Sequence, residues 1–293
     1  MTSEIAFGLV GGLGMFIYGM RVMGDGLQKA AGDRLRRLLE ILTTDPLLAV
    51  MVGTVVTAIL QSSSATTVMV VGFVNAGLMN LGQAAGVIMG ANIGTTATAQ
   101  LIAFKLTRYA LPSVGVGVAL FLFGRRKTEK YLGEVVLGFG LLFLGMETMS
   151  AAVKPLKDMP WFGQAMVTFS RTPFLGVLVG VAMTVLVQSS SATIGILQAL
   201  AAQGLVSIEA ALPVLFGDNI GTTVTALLSS IGTSVAARRA AMIHLTFNVV
   251  GTLVFLLLLP AVLPIVKWTS GDAVRQIANA HTLFNVTNTV LQL

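Results

Sequence analysis

The sequence has no cysteine, two histidines and few charges, with 18 Lys and Arg and 12 Asp and Glu among 293 residues. The missing cysteine excludes disulfides and thiolate metal sites, and His244 and His281 are too few for a histidine metal cluster. The scarcity of charge says more. Only 10% of residues are charged and 55% are hydrophobic, whereas a soluble domain carries about a quarter charged residues. So few charges could not cover a water-facing surface of this size. The net charge of +6 sits in short basic clusters between apolar runs, which is the pattern of helix ends at a membrane surface rather than of a nucleic-acid groove. The start, Met1-Thr-Ser-Glu4, lacks a basic leader region, and the apolar run Ile5–Met23 is long enough to stay as a span, so no cleavable signal peptide is expected.

The longest charge-free stretch, 46–104, holds 59 residues, too many for one span of about 20 and therefore folded back within the membrane. Leu47–Leu60 makes a helix of about 21 Å, short of a hydrocarbon core of about 30 Å. It meets Gln61-Ser-Ser-Ser-Ala-Thr66, and a second apolar piece, Val68–Met79, follows. Two half-helices around a polar tip predict a re-entrant hairpin. Gln83–Phe104 is long enough to cross, and Gly90-Ala-Asn-Ile-Gly-Thr-Thr96 inside it predicts a broken helix lining a cavity.

The pattern then repeats. Residues 61–99 align without a gap on 188–226, with 18 of 39 positions identical. Gln188-Ser-Ser-Ser-Ala-Thr193 and Gly217-Asp-Asn-Ile-Gly-Thr-Thr223 match the first copies, and Tyr18–Met23 resembles Leu144–Met149. The expected fold is an all-α polytopic membrane protein of two inverted-topology repeats, each with a re-entrant helical hairpin and a broken transmembrane helix. Inversion follows because three crossings per unit make the second unit enter from the opposite face. The expected units are 1–130 and 131–265, with a further membrane helix in 266–293 that ends in mid-pattern, as though the chain were truncated. Ten basic residues in one set of loops (Lys29, Arg34, Arg36, Arg37, Arg125, Arg126, Lys127, Lys130, Arg238, Arg239) against seven in the other put the N-terminus outside.

The chemistry concentrates at the tips. A helix starting inside the membrane presents first-turn N–H groups with partial positive charge. Small hydroxyl residues let an anion reach those groups, giving an oxyanion site without Lys or Arg. The preceding half-helix ends in free carbonyls. Gln61, Gln188, Asn92 and Asn219 add amide oxygens, and Thr66, Thr95, Thr193 and Thr222 add hydroxyls, all suited to a hard monovalent cation such as Na⁺. Anion and cation sites side by side are expected of ion-coupled symport. The bland alternative is that these side chains bond the carbonyl one turn back or join helices.

Asp218 replaces the Ala91 of the first copy, and an acid at membrane depth is costly and a candidate for cation or proton binding. The alternative places it near a water-exposed helix end. His244 and His281, each one turn before an asparagine (Asn248, Asn285), read as helix–helix hydrogen bonds rather than ligands. Glu134 and Glu147 share one apolar helix, with Glu147 the candidate for pairing with a basic group. Gly8/Gly12 and Gly176/Gly180 signal close helix contact, and 34–40 reads as an amphipathic surface helix.

With the two Gln-Ser-Ser-Ser elements, the two Asn-Ile-Gly-Thr-Thr elements and Ala280–Asn285, the chain resembles the type II sodium/phosphate cotransporters in their bacterial form, along essentially its whole length. The resemblance implies sodium-driven uptake of inorganic phosphate by alternating access. It maps phosphate onto Ser62, Ser63, Ser64, Ser189, Ser190 and Ser191. Sodium coordination falls to Gln61, Thr66, Asn92, Thr95, Thr96, Gln188, Thr193, Asp218, Asn219, Thr222 and Thr223. The implied partners are phosphate, sodium as coupling ion and the bilayer of the cell membrane, with no other cofactor or metal and no nucleic acid; a homodimer and a cytoplasmic PhoU-like domain outside this chain stay open. Backbone amides do not by themselves select phosphate, so sulfate or a carboxylate remains a rival substrate, and a phosphate-sensing membrane protein a rival function. No paired acids or nucleophile–base constellation points to an enzyme.

Overall fold

The computed structural model describes residues 2–32 and 45–293. Among them are thirteen α-helices and no strand: α1 Thr2–Ala31, α2 Pro46–Leu60, α3 Ser63–Asn75, α4 Leu81–Ala103, α5 Ala110–Phe123, α6 Lys127–Val153, α7 Pro160–Arg171, α8 Pro173–Val187, α9 Ser190–Ala202, α10 Ile208–Ser229, α11 Val235–Leu257, α12 Leu259–Trp268 and α13 Ala273–Gln292. Five stretches of helix are long and apolar enough to cross a membrane, beginning at Ser3, Leu106, Lys127, Ile208 and Val235. The chain is an all-helical polytopic membrane protein. The unit boundaries expected at 130/131 and 265/266 each fall inside a helix, α6 and α12. The expected surface helix at 34–40 lies outside the described residues.

The duplicated sequence folds into duplicated elements. Both α2 and α8 span 15 residues and both α3 and α9 span 13, about 22 and 20 Å at a helical rise. A proline opens each first arm, where its missing N–H costs nothing. The arms turn back at the tip. Thr57 and Thr66, nine residues apart, would stand about 13 Å from each other along a continuous helix, yet their hydroxyls are 2.8 Å apart. Thr184 and Thr193 repeat this at 2.9 Å.

The expected breaks in α4 and α10 are absent. Each helix runs unbroken through its Asn-Ile-Gly-Thr-Thr element, for 23 and 22 residues. The glycines serve packing instead. A Cβ on Gly94 would fall 2.7 Å from Thr57 Cβ, one on Gly90 would overlap the Val50 carbonyl, and Gly217 and Gly180 meet Val177 and Val214 in the same way. Backbone-to-backbone approach of this kind is how small residues join helices where water supplies no driving force. It clamps α4 to α2 and α10 to α8, so each hairpin rides on its long helix. The Gly176/Gly180 signal is thereby realised, since a Cβ on Gly176 would stand 2.7 Å from that of Pro213.

The Gly8/Gly12 signal is realised between α1 and α6. Gly8 faces Ala152, Gly12 faces Met149 and Gly145, Gly19 faces Leu142 and Gly138, and Gly26 faces Tyr131 and Glu134. One number rises as the other falls, so these two sequence-related helices run antiparallel. Here Lys29 pairs with Glu134 at 2.6 Å. The partnered acid of α6 is therefore Glu134, while Glu147 is exposed and makes no ion pair among the described residues.

Candidate functional site

The two tips are built alike to within a few degrees. Gln61 ends α2 at φ 55°, ψ 25°, and Gln188 ends α8 at φ 56°, ψ 27°. This left-handed region favours glycine and costs an ordinary residue roughly 1–2 kcal/mol. Each glutamine recovers part of that locally. Its amide Nε2 donates to a carbonyl of the last turn, Ala58 O at 2.5 Å and Val185 O at 2.6 Å. The sharp reversal lets the next residue cap the following helix: Ser62 Oγ accepts from Ala65 N at 3.1 Å, and Ser189 Oγ from Ala192 N at 3.2 Å. The N–H groups of Ser63, Ser64, Ser190 and Ser191 precede the first intrahelical bond of their helices and have no partner within them.

Both tips open on one cavity of about 420 Å³, with Gln61, Ser62, Gln188 and Ser189 in its wall. Helix α1 closes the remaining side. It fits there because Gly24 leaves room for the Leu60 carbonyl, 2.9 Å from where a Cβ would sit, while the Phe16 ring lies beneath Gly195 of the second hairpin. Beside the buried residues that meet the hairpins, α1 presents Arg21, Asp25 and Gln28 to the cavity, all three exposed and spaced at 3–4 residues as one helix face requires. The sequence reading did not single out these three, and Arg21 places a basic group in the wall that the two tips share, where the expected anion site had none. The available signal was a charge inside the first apolar run.

The other expected site residues lie behind this wall. Ser63, Ser190 and Ser191 are buried in the first turns of α3 and α9, and the Ser64 hydroxyl is hydrogen-bonded to that of Thr225 of α10 at 3.1 Å, Thr225 also reaching Thr222 O at 2.9 Å. Asn92, Thr95, Thr96, Asn219, Thr222 and Thr223 are buried along α4 and α10. Several make the bland bond to their own helix: Thr95 to Ala91 O, Thr222 to Asp218 O, and Thr223 to Ile220 O. Asn92 and Asn219 each spend an amide N–H on the carbonyl four residues back, both at 2.8 Å, and keep the amide oxygen.

Asp218 breaks the symmetry. It is fully buried at mid-helix rather than near an exposed end. In the first unit Thr57 donates to Thr66, and Thr66 donates to Ser62 O at 3.2 Å, toward the tip. In the second unit Thr184 gives its single proton to Asp218 Oδ1 at 2.5 Å, so across the 2.9 Å contact Thr193 is the donor to Thr184, in preference to its longer 3.4 Å approach to Ser189 O. The hydroxyl chain therefore points away from the tip and at the carboxylate. The other oxygen, Oδ2, has no partner among the described residues, and a buried carboxylate so placed requires a cation or a proton nearby. A second inequivalence involves Thr98 and Thr225, which occupy matching positions. Thr98 donates to Gln61 Oε1 of its own unit at 2.8 Å, whereas Thr225 crosses to Ser64 of the other.

The histidines do not form the expected helix–helix bonds. Both are buried, and neither ring nitrogen of His244, nor Nδ1 of His281, has a partner among the described residues. Their asparagines instead donate back to the histidine carbonyls, at 2.9 and 3.0 Å. At the other end of α4, Arg275 holds Ala103 O at 2.8 Å and Gln100 Oε1 at 3.0 Å, tying α13 to the C-terminus of that helix.

The sequence pattern of a family described as Na+/Pi-cotransporter matches residues 15–151 and 159–290. The Bacillus subtilis (strain 168) "Uncharacterized protein YqeW" is 34% identical over 278 residues, 95% of this chain and 90% of that protein. The "Putative inorganic phosphate export protein YjbB" of Escherichia coli (strain K12) is 31% identical over 248 residues, 85% of this chain, which spans only 46% of that longer protein. The human "Sodium-dependent phosphate transport protein 2B" is 41% identical over 88 residues, 29% of this chain and 13% of its own. No solved structure matches.

Proposed function

The chain belongs to the Na+/Pi-cotransporter family, and from that premise we propose that it is a sodium-coupled symporter that imports inorganic phosphate by alternating access. The observation that carries this reading is the shared cavity, in which one Gln-Ser tip from each repeat faces the same space. Phosphate sits there against the N-termini of α3 and α9, within reach of Ser62–Ser64 and Ser189–Ser191 and of Arg21. Sodium lies behind the tips, on oxygens of Gln61, Thr66, Asn92, Thr95 and Thr96 in one unit and Gln188, Thr193, Asp218, Asn219, Thr222 and Thr223 in the other. The free Oδ2 of Asp218 is the strongest ligand in that set. The antiparallel pairing of α1 with α6 supports an inverted repeat, placed with the N-terminus outside by the basic residues. Inequivalent bonds at the equivalent Thr98 and Thr225 support one of two states related by exchanging the roles of the repeats.

A second reading is export, favoured by the name of the Escherichia coli relative. Radiolabelled phosphate flux in proteoliposomes separates the two. An inward sodium gradient that accumulates phosphate inside establishes symport. Flux indifferent to sodium overturns the coupling, and efflux against that gradient favours export.

A further inference from the structure

Asp25 is an odd group to find in an anion cavity. Among the described residues of the wall only Arg21 and Asp25 are charged, and Asp25 is an acceptor where a bound anion needs donors. Arg21 offers five N–H donors, Ser62 and Ser189 offer hydroxyls, and Gln28 offers an amide. A carboxylate offers none. Lys29, one turn on, lies within the field of Asp25 but is held by Glu134 at 2.6 and 2.8 Å, and among the described residues Asp25 enters no ion pair. Nor is its place accidental. Gly24, immediately before it, is the contact that presses α1 against the end of α2, so the face bearing Asp25 is fixed beside the first tip.

Resting on the phosphate reading above, we propose that Asp25 is the residue by which the site tells phosphate from sulfate, accepting a hydrogen bond from the P–OH of a protonated oxyanion. At neutral pH phosphate and arsenate each keep at least one proton, whereas sulfate, of nearly the same size and shape, keeps none. Toward a P–OH the carboxylate gains a charge-assisted hydrogen bond. Toward a bare sulfate oxygen it sets two acceptors against each other, which is specificity by a built-in repulsion. The neutral wall groups, the Ser62 and Ser189 hydroxyls and the Gln28 amide, can each donate or accept and so do not discriminate between the two anions; only the carboxylate is obliged to accept. Arg21 and Asp25 also line a second cavity of about 270 Å³ with Lys29 and Glu134, so the pair stands between two cavities and meets the anion at the cavity edge.

The test is sodium-driven phosphate uptake in proteoliposomes with sulfate and arsenate as competitors. In the unaltered protein arsenate competes and sulfate does not. In Asp25→Asn, whose amide can donate as well as accept, the inhibition constant of sulfate relative to the KM for phosphate should fall about 10- to 100-fold, the range of one hydrogen bond to a charged group. The arsenate ratio should stay fixed, and Asp25→Glu should restore discrimination. If the Asn variant loses flux, stabilisation of the purified protein against heat by each anion reads the same ratios. An unchanged sulfate-to-phosphate ratio overturns the proposal, as does equal improvement for all three anions, the mark of simple charge repulsion. Either result leaves phosphate transport standing. Absence of phosphate flux and of phosphate stabilisation in the unaltered protein removes the transport reading itself, and this inference with it.

Discussion

Replacing Thr184 with valine keeps shape and removes one hydroxyl, and the duplication supplies its own control. Thr184 is 1% exposed and donates to Asp218 Oδ1 at 2.5 Å. Its counterpart Thr57, also buried, donates to the neutral hydroxyl of Thr66 at 2.8 Å and faces a unit with Ala91 where the other has Asp218. A neutral hydrogen bond contributes about 0.5–1.5 kcal/mol and one to a charged group about 1.5–3 kcal/mol. Thr57→Val should therefore cost about 1 kcal/mol and Thr184→Val about 2 kcal/mol. In an Asp218→Ala background, which gives the second unit the chemistry of the first, Thr184→Val should fall to the Thr57→Val value. The coupling between Thr184 and Asp218 is then about 1 kcal/mol or more, above the roughly 0.5 kcal/mol scatter of additive pairs. Unfolding of the four variants and the parent in detergent, in sodium-free buffer, measures the cycle. Equal costs for Thr184→Val with and without the carboxylate would refute the assignment of that contact as the one that polarises the second tip.

Two further outcomes follow from the backbone. Gln188→Gly should stabilise the protein by about 0.5–1 kcal/mol in thermal unfolding, because φ 56° costs glycine nothing, while sodium-driven phosphate flux falls through loss of the amide; a destabilised variant would show that the side-chain bond to Val185 O outweighs the strain. Gly217→Ala should cost at least about 1–3 kcal/mol, since the added methyl meets the Val177 backbone, which cannot rotate aside. Gly163→Ala, with nothing within 4 Å of the new atom in an exposed helical position, should instead stabilise by up to about 1 kcal/mol in the same unfolding assay.

Most of each hairpin was legible in the sequence because its cause is local. Arm length follows from the apolar run between Pro46 and Gln61, and from its copy between Pro173 and Gln188. The serine caps follow from hydroxyls placed ahead of a helix. The breaks expected in α4 and α10 were misread because glycine permits two outcomes, a distorted backbone or a close approach to another helix. A neighbour decides between them, and here α2 and α8 supply it. Arg21, Asp25 and Gln28 were passed over because a polar stripe on a long apolar helix acquires meaning only from what faces it.

The sequence by itself determined the duplication, the half-length arms, the polar tips and the membrane as solvent, since composition and short-range periodicity are properties of the chain alone. Only the tertiary structure decided that both tips share one cavity, that α1 completes it with an opposed pair of charges, and that the hydroxyls behind the two tips point in opposite directions. Those outcomes depend on contacts between residues more than a hundred positions apart, such as Phe16 with Gly195. They also depend on one carboxylate, Asp218, whose effect on its neighbours is set by burial that no local pattern records.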